Sequence, residues 1–164
     1  MTTFNPWTAA GTLQPGIKVA ETVSGSRCTA GSTWDTGSPY AWVCGGFFAC
    51  FAPPGRTDVT QVACMSGPWS DASLLNLATP LAASSWGMPT ATELKYPWAV
   101  ALANGQECVT LHGTGQLVDG LALDTACNDG YVTFPSTTTD SWTVRYVASG
   151  SHSPVTVAVT TAYH

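Results

Sequence analysis

Charged side chains are scarce in this 164-residue chain. Five Lys and Arg and ten Asp and Glu make up 9% of it, against about 25% in an average domain. The five cations, Lys18, Arg27, Arg56, Lys95 and Arg145, are scattered, and the net charge is −5. A nucleic-acid surface needs clustered cations to displace phosphate counterions. An anionic lipid surface needs a polybasic patch. The scatter argues against both partners. No uncharged apolar run reaches the ~20 residues of a membrane helix. The nearest, residues 41–54, is broken by two glycines and two prolines. The amino terminus lacks a basic region followed by an apolar core, so it is not an intact signal peptide. Met1 reads as an added start on a mature chain, with any signal or anchor lying outside it.

Several signatures of chemistry are missing as well. Zinc sites favour Cys-x(2–4)-Cys pairs. The cysteines here stand at 28, 44, 50, 64, 108 and 127, and the closest two have five residues between them. The Gly-x-Ser-x-Gly elbow of serine hydrolases is absent, as is the EF-hand pattern. Gly113-Thr114-Gly115 lacks the third glycine and the following helix of a dinucleotide fingerprint, and it reads better as a hairpin loop. A calcium loop around Asp119, Asp124, Asn128 and Asp129 competes with plain turn formation, which explains the same residues. No metal and no cofactor is expected.

An even number of cysteines, low charge and abundant Thr, Ser and Gly fit an oxidising, extracytoplasmic compartment. Hydrophobic residues make up 45% of the chain, enough for a core in a chain of this length. Gly and Pro are frequent, helix signals are poor, and β-branched residues alternate. Over 155–163 the alternation puts Val155, Val157, Val159, Thr161 and Tyr163 on one face. Trp142, Val144 and Tyr146 oppose Thr143 and Arg145. Ile17, Val19 and Val23 alternate around Glu21, and Trp98, Val100 and Leu102 oppose small residues. Shorter strands are expected over 40–44, 59–64, 109–112, 120–124 and 131–134. Asn104-Gly105, Asp119-Gly120 and Asn128-Asp129-Gly130 supply the turns. Residues 70–78 are the one helix-like stretch, with Ser70 as its cap, though a strand fits nearly as well.

The chain echoes itself. Gly25-Ser26-Arg27-Cys28 recurs 80 residues on as Gly105-Gln106-Glu107-Cys108. Cys44 and Phe51 recur 83 residues on as Cys127 and Phe134. This self-similarity points to two similar lobes, 1–84 and 85–164. Six cysteines allow 15 pairings. If the lobes are equivalent, Cys28–Cys44 and Cys108–Cys127 are one bridge used twice, and Cys50–Cys64 follows by elimination. The expected fold is all-β and disulfide-stapled: an antiparallel sandwich or paired small barrels forming one compact unit.

From Pro97 onward the chain resembles a Cys-containing module of uncharacterised secreted proteins and lipoproteins of bacteria. The matching residues are Pro97-Trp98, Ala103-Asn104-Gly105, Cys108, Gly113-Thr114-Gly115, Val118, Gly120, Cys127 and Trp142. The chain departs from the pattern at Thr125, where an aromatic is usual, and at Tyr163, where Trp is usual. The resemblance implies an extracytoplasmic location and the Cys108–Cys127 bridge, and it implies no activity.

Candidate functional residues are few. Trp42, Trp98 and Trp142 lie in alternating strands and belong to the core. Trp7, Trp34, Trp69 and Trp86 lie in Gly-, Ser- and Pro-rich stretches, where an exposed indole can stack on a sugar or anchor a partner. Of these, Trp34, Trp69 and Trp86, with His112, are the ligand-binding candidates, and no catalytic residue is assigned. The leading expectation is a non-catalytic binding or sensing module for an extracellular glycan, peptide or protein. Its rivals are a secreted hydrolase using His112 or an Asp/Glu pair, and a protease-inhibitor-like module presenting loop 49–55.

Overall fold

A computed structural model of the chain describes residues 2–30, 41–82, 97–110, 116–118, 121–123, 125–134 and 142–164. Among these residues there are fourteen strands and no helix. The chain divides into two compact units, Thr3–Tyr96 with His164, and Pro97–Tyr163 with Met1–Thr2. The division near 84 expected from the echo falls within 83–96, outside the described residues.

In the first unit β1 (Val19–Ser26), β2 (Cys28–Ala30), β3 (Ala41–Cys44), β4 (Phe47–Phe51), β5 (Asp58–Cys64) and β6 (Ala72–Ala82) form one sheet. Its order is β1-β6-β5-β4-β3-β2. Strands β2 to β6 are an antiparallel meander, and β1 joins β6 in parallel. Only Arg27 separates β1 from β2, so the two ends of the sheet are one stretch of chain. The second unit contains β7 (Ala99–Leu102), β8 (Glu107–Thr110), β9 (Gln116–Val118), β10 (Leu121–Leu123), β11 (Thr125–Cys127), β12 (Gly130–Thr133), β13 (Thr143–Val147) and β14 (Val155–Tyr163). Strands β9 and β10 pair as a separate hairpin; the other six close into a barrel, β11-β12-β13-β14-β7-β8, which leaves no free sheet edge.

The units differ at the echo glycines. Gly25 and Gly105 have nearly the same positive φ, 81° and 82°, a conformation that glycine adopts without steric cost. At Gly25 the chain shifts register and runs on into β2. At Gly105 it reverses, with the Gly105 amide donating to the Leu102 carbonyl at 3.0 Å. The first meander returns to its starting strand after five strands, in the parallel sense. The second has six strands and closes antiparallel.

The bridges are Cys28–Cys44, Cys50–Cys64 and Cys108–Cys127, with Cα separations of 3.9–4.0 Å. Each joins residues directly opposite in neighbouring strands. No cysteine is free. Three disulfides are typical of extracellular proteins. The core of the first unit gathers Trp42, Val59, Val62, Leu75 and Leu81 around cystines. That of the second gathers Val100, Leu102, Val132, Val144 and Tyr146.

Residues 70–78 are not helical. Ala72–Ala82 is a strand, because β5 and β1 offer it a ladder on each side, and pairing overrides local propensity. Ser70 caps a turn instead: its hydroxyl accepts from the amides of Ser66 and Gly67. The alternation over 155–163 is also broken. A register shift between Val159 and Thr161 flips the strand, so Ala162, rather than Thr161 or Tyr163, is buried. Nor do Val19 and Val23 face a core. They are 45% and 38% exposed, and β1 is solvated along nearly its whole length.

Two buried residues hold corresponding places beside the bridges Cys28–Cys44 and Cys108–Cys127. Trp42 and Thr125 each stand two residues before the second cysteine of their bridge, and both are buried. The hydroxyl of Thr125 finds no hydrogen-bond partner among the described residues, which costs about 1–3 kcal/mol in desolvation. Thr125→Val keeps the β-branched shape and removes that cost. It is expected to raise stability by about 1 kcal/mol, read as a higher urea midpoint at unchanged m. A lower midpoint would show that the hydroxyl is bonded in solution.

Candidate functional site

Trp142 leads into β13, and its carbonyl accepts from the Val159 amide at 2.9 Å, which ties it to β14. Its indole packs against the barrel core yet is only half-buried. Beside it lies a groove of about 310 Å³ lined by Trp142, Val159, Thr160, Thr161 and Ala162. Consecutive side chains of a regular strand point to opposite faces. Four consecutive residues of β14 share this groove because the bulge at Thr160 inserts an extra residue and turns the strand.

The groove offers an aromatic wall, two aliphatic side chains and two hydroxyls, and among the described residues none that lines it is charged. Thr160 Oγ1 donates to the Ala101 carbonyl at 3.0 Å, leaving its lone pairs to accept. Such a surface suits a neutral, hydroxyl-rich ligand with an apolar face.

The tryptophans read from the sequence fall into different environments. Trp7 is a plug, 5% exposed, with its Nε1 donating to the Phe51 carbonyl at 2.7 Å. Trp42 and Trp98 are core residues, as expected. Trp142, which alternation assigns to the core, packs against it half-buried and also forms the groove wall. Trp69 is half-buried in the turn that Ser70 closes. Trp34, Trp86 and His112 lie outside the described residues. Loop 49–55 is not an exposed inhibitory loop: Ala49, Cys50, Phe51 and Ala52 are buried. The Thr160-Thr161 doublet, which interrupts a Val-x-Val alternation, is the sequence signal that marks the groove. Among the described residues no three His, Cys, Asp or Glu side chains group to hold a metal. Nor is any helix there long and apolar enough to cross a membrane. No protein-family model, no curated protein and no solved structure matches the chain.

Proposed function

We propose that the protein is a secreted, non-catalytic binding module that recognises a neutral glycan through the Trp142 groove. The observation that carries this reading is the half-buried indole of Trp142 beside Thr160 and Thr161, in a cleft whose described lining carries no charge. A pyranose presents an apolar face of C–H groups to an indole, and its hydroxyls meet the threonine oxygens. The disulfides support an oxidising location, as does the resemblance of the second half to a bacterial secreted module.

The test is a fluorescence or NMR titration with chitin and cell-wall oligosaccharides. Trp142→Ala is expected to weaken binding by at least about tenfold, or ~1.4 kcal/mol. Because Trp142 also packs on the core, Thr161→Ala provides a second variant with little effect on folding, and it is expected to weaken binding severalfold. Unchanged affinity in both variants, or hydrolysis of the glycan, would overturn the reading.

A further inference from the structure

A second cleft, of about 160 Å³, lies within the first unit. Its wall is Trp7, fixed by the Nε1 bond to Phe51 and by its amide donating to Asn5 Oδ1 at 2.9 Å. Its polar groups are Arg56, Asp58, Thr60 and Gln61. Residues 6–14 form a tight loop, closed by the Trp7–Leu13 bridge and by the Gln14 amide donating to the Pro6 carbonyl at 2.7 Å. Gly11 sits on that loop at φ +80°. The guanidinium of Arg56 lies across Gly11, where a Cβ would stand 3.0 Å from Nη2, 3.4 Å from Nε and 3.5 Å from Cζ. Nη2 donates to the Ala10 carbonyl at 3.4 Å. The guanidinium is thus seated on bare backbone, not on a carboxylate.

Two features make this cleft more than a dent in the surface. The chain has only five Lys and Arg and ten Asp and Glu, yet a cation and an anion line the same small space. Moreover, neither Arg56 nor Asp58 forms an ion pair among the described residues. Arg56 retains most of its five donors, in a planar fork that matches a carboxylate. Asp58 is exposed and, being acceptor-only, suits an ammonium. The volume equals about five waters at roughly 30 Å³ each, below the ~300–1,000 Å³ of pockets for larger ligands.

We propose that this cleft is a binding site for a small zwitterion, of the α-amino-acid class. The ligand's carboxylate meets the Arg56 fork and its ammonium meets Asp58. Trp7 forms the wall, and the absence of a side chain at Gly11 keeps the guanidinium in place. The site shares no residue with the Trp142 groove and stands independently of it.

The test is an NMR titration of the whole chain at low salt, following the Arg56 Nε–H and Trp7 Nε1–H signals. The probes are glycine and alanine, with acetate and methylamine as half-ligands. Saturable shifts with the amino acids are expected, and at least about tenfold weaker binding of either half-ligand, since two charge contacts replace one. Arg56→Gln should abolish the shifts, and Asp58→Asn should reduce amino-acid binding to the level of acetate. Both residues are exposed, so neither change threatens the fold. Acetate binding as tightly as alanine with Asp58→Asn silent, or no saturable shift with any probe to about 50 mM, weaker than ordinary millimolar recognition, would overturn the proposal. The Trp142 signal should stay unmoved throughout, which keeps this outcome separate from that of the groove.

Discussion

Gly130→Ala is expected to destabilise the barrel by about 2–5 kcal/mol and to lower its melting temperature by about 10 °C. Gly130 opens β12 at φ +108°, outside the range an L-residue adopts readily. A Cβ there would overlap the Val147 carbonyl oxygen and stand 2.9 Å from Ala148 Cα. Those atoms are backbone at the end of the paired strand β13 and of the residue after it, and they cannot swing aside as a side chain would. The turn itself is held from both sides. The Asp129 amide donates to Gln106 Oε1 at 2.8 Å, and the Tyr146 hydroxyl donates to the Asp129 carbonyl. Burial, and secondarily the Asp129 carboxylate, push the Tyr146 phenol upward, so it stays a neutral donor across the physiological range. Gly46→Ala is the control. Gly46 has φ +94° but open space around it, so only the backbone strain of about 1–2 kcal/mol is expected. Thermal melts by circular dichroism compare the two. Equal losses would show that the close approach to Val147 carries no weight.

Most strands could be read from the sequence because β-branched residues alternate wherever one face is buried. Trp98, Val100 and Leu102, or Val144 and Tyr146, give their burial away by that period alone. The irregularities could not be read so easily. The bulge at Thr160 adds one residue without any change in composition, so alternation carried the inward face through to Tyr163. The actual flip buries Ala162 and brings Thr160 and Thr161 to the groove. Residues 72–78 carried local helix character, and only partners distant in the chain, β1 and β5, decide their state. Alternation places Trp142 on the core face correctly, but periodicity reports which face a residue lies on and not how deep it sits. The Arg56 cleft had no linear signature at all. It is assembled from loop 6–14, the segment after β4 and the first residues of β5, and no motif spans such pieces.

Reducing all three disulfides is expected to unfold both units at physiological temperature. The bridges enclose 15, 13 and 18 residues, and chain entropy assigns roughly 3 kcal/mol to each. The two in the first unit contribute about 6 kcal/mol and the one in the second about 3, against the ~5–15 kcal/mol of a typical domain. Their placement sharpens the expectation. β4 and β5 share only two residue pairs, while β2–β3 and β8–β11 share three each. The β5–β6 and β1–β6 ladders, with six pairs each, carry no bridge. The covalent links thus stand across short ladders, where few hydrogen bonds hold the strands; β11–β12, β12–β13 and β7–β8 are three-pair ladders too, and they carry no bridge. Removing Cys108 and Cys127 together, both as Ala, should therefore speed amide exchange first at Val109 and Ala126 and leave the first unit's melt unchanged. Removing Cys50 and Cys64 should free β4 from β5 and loosen Phe51, whose carbonyl anchors Trp7. In the fully reduced chain the near-ultraviolet signal of the tryptophans should collapse. A reduced protein that kept that signal, and melted within a few degrees of the oxidised one, would show that the two cores stand without their bridges.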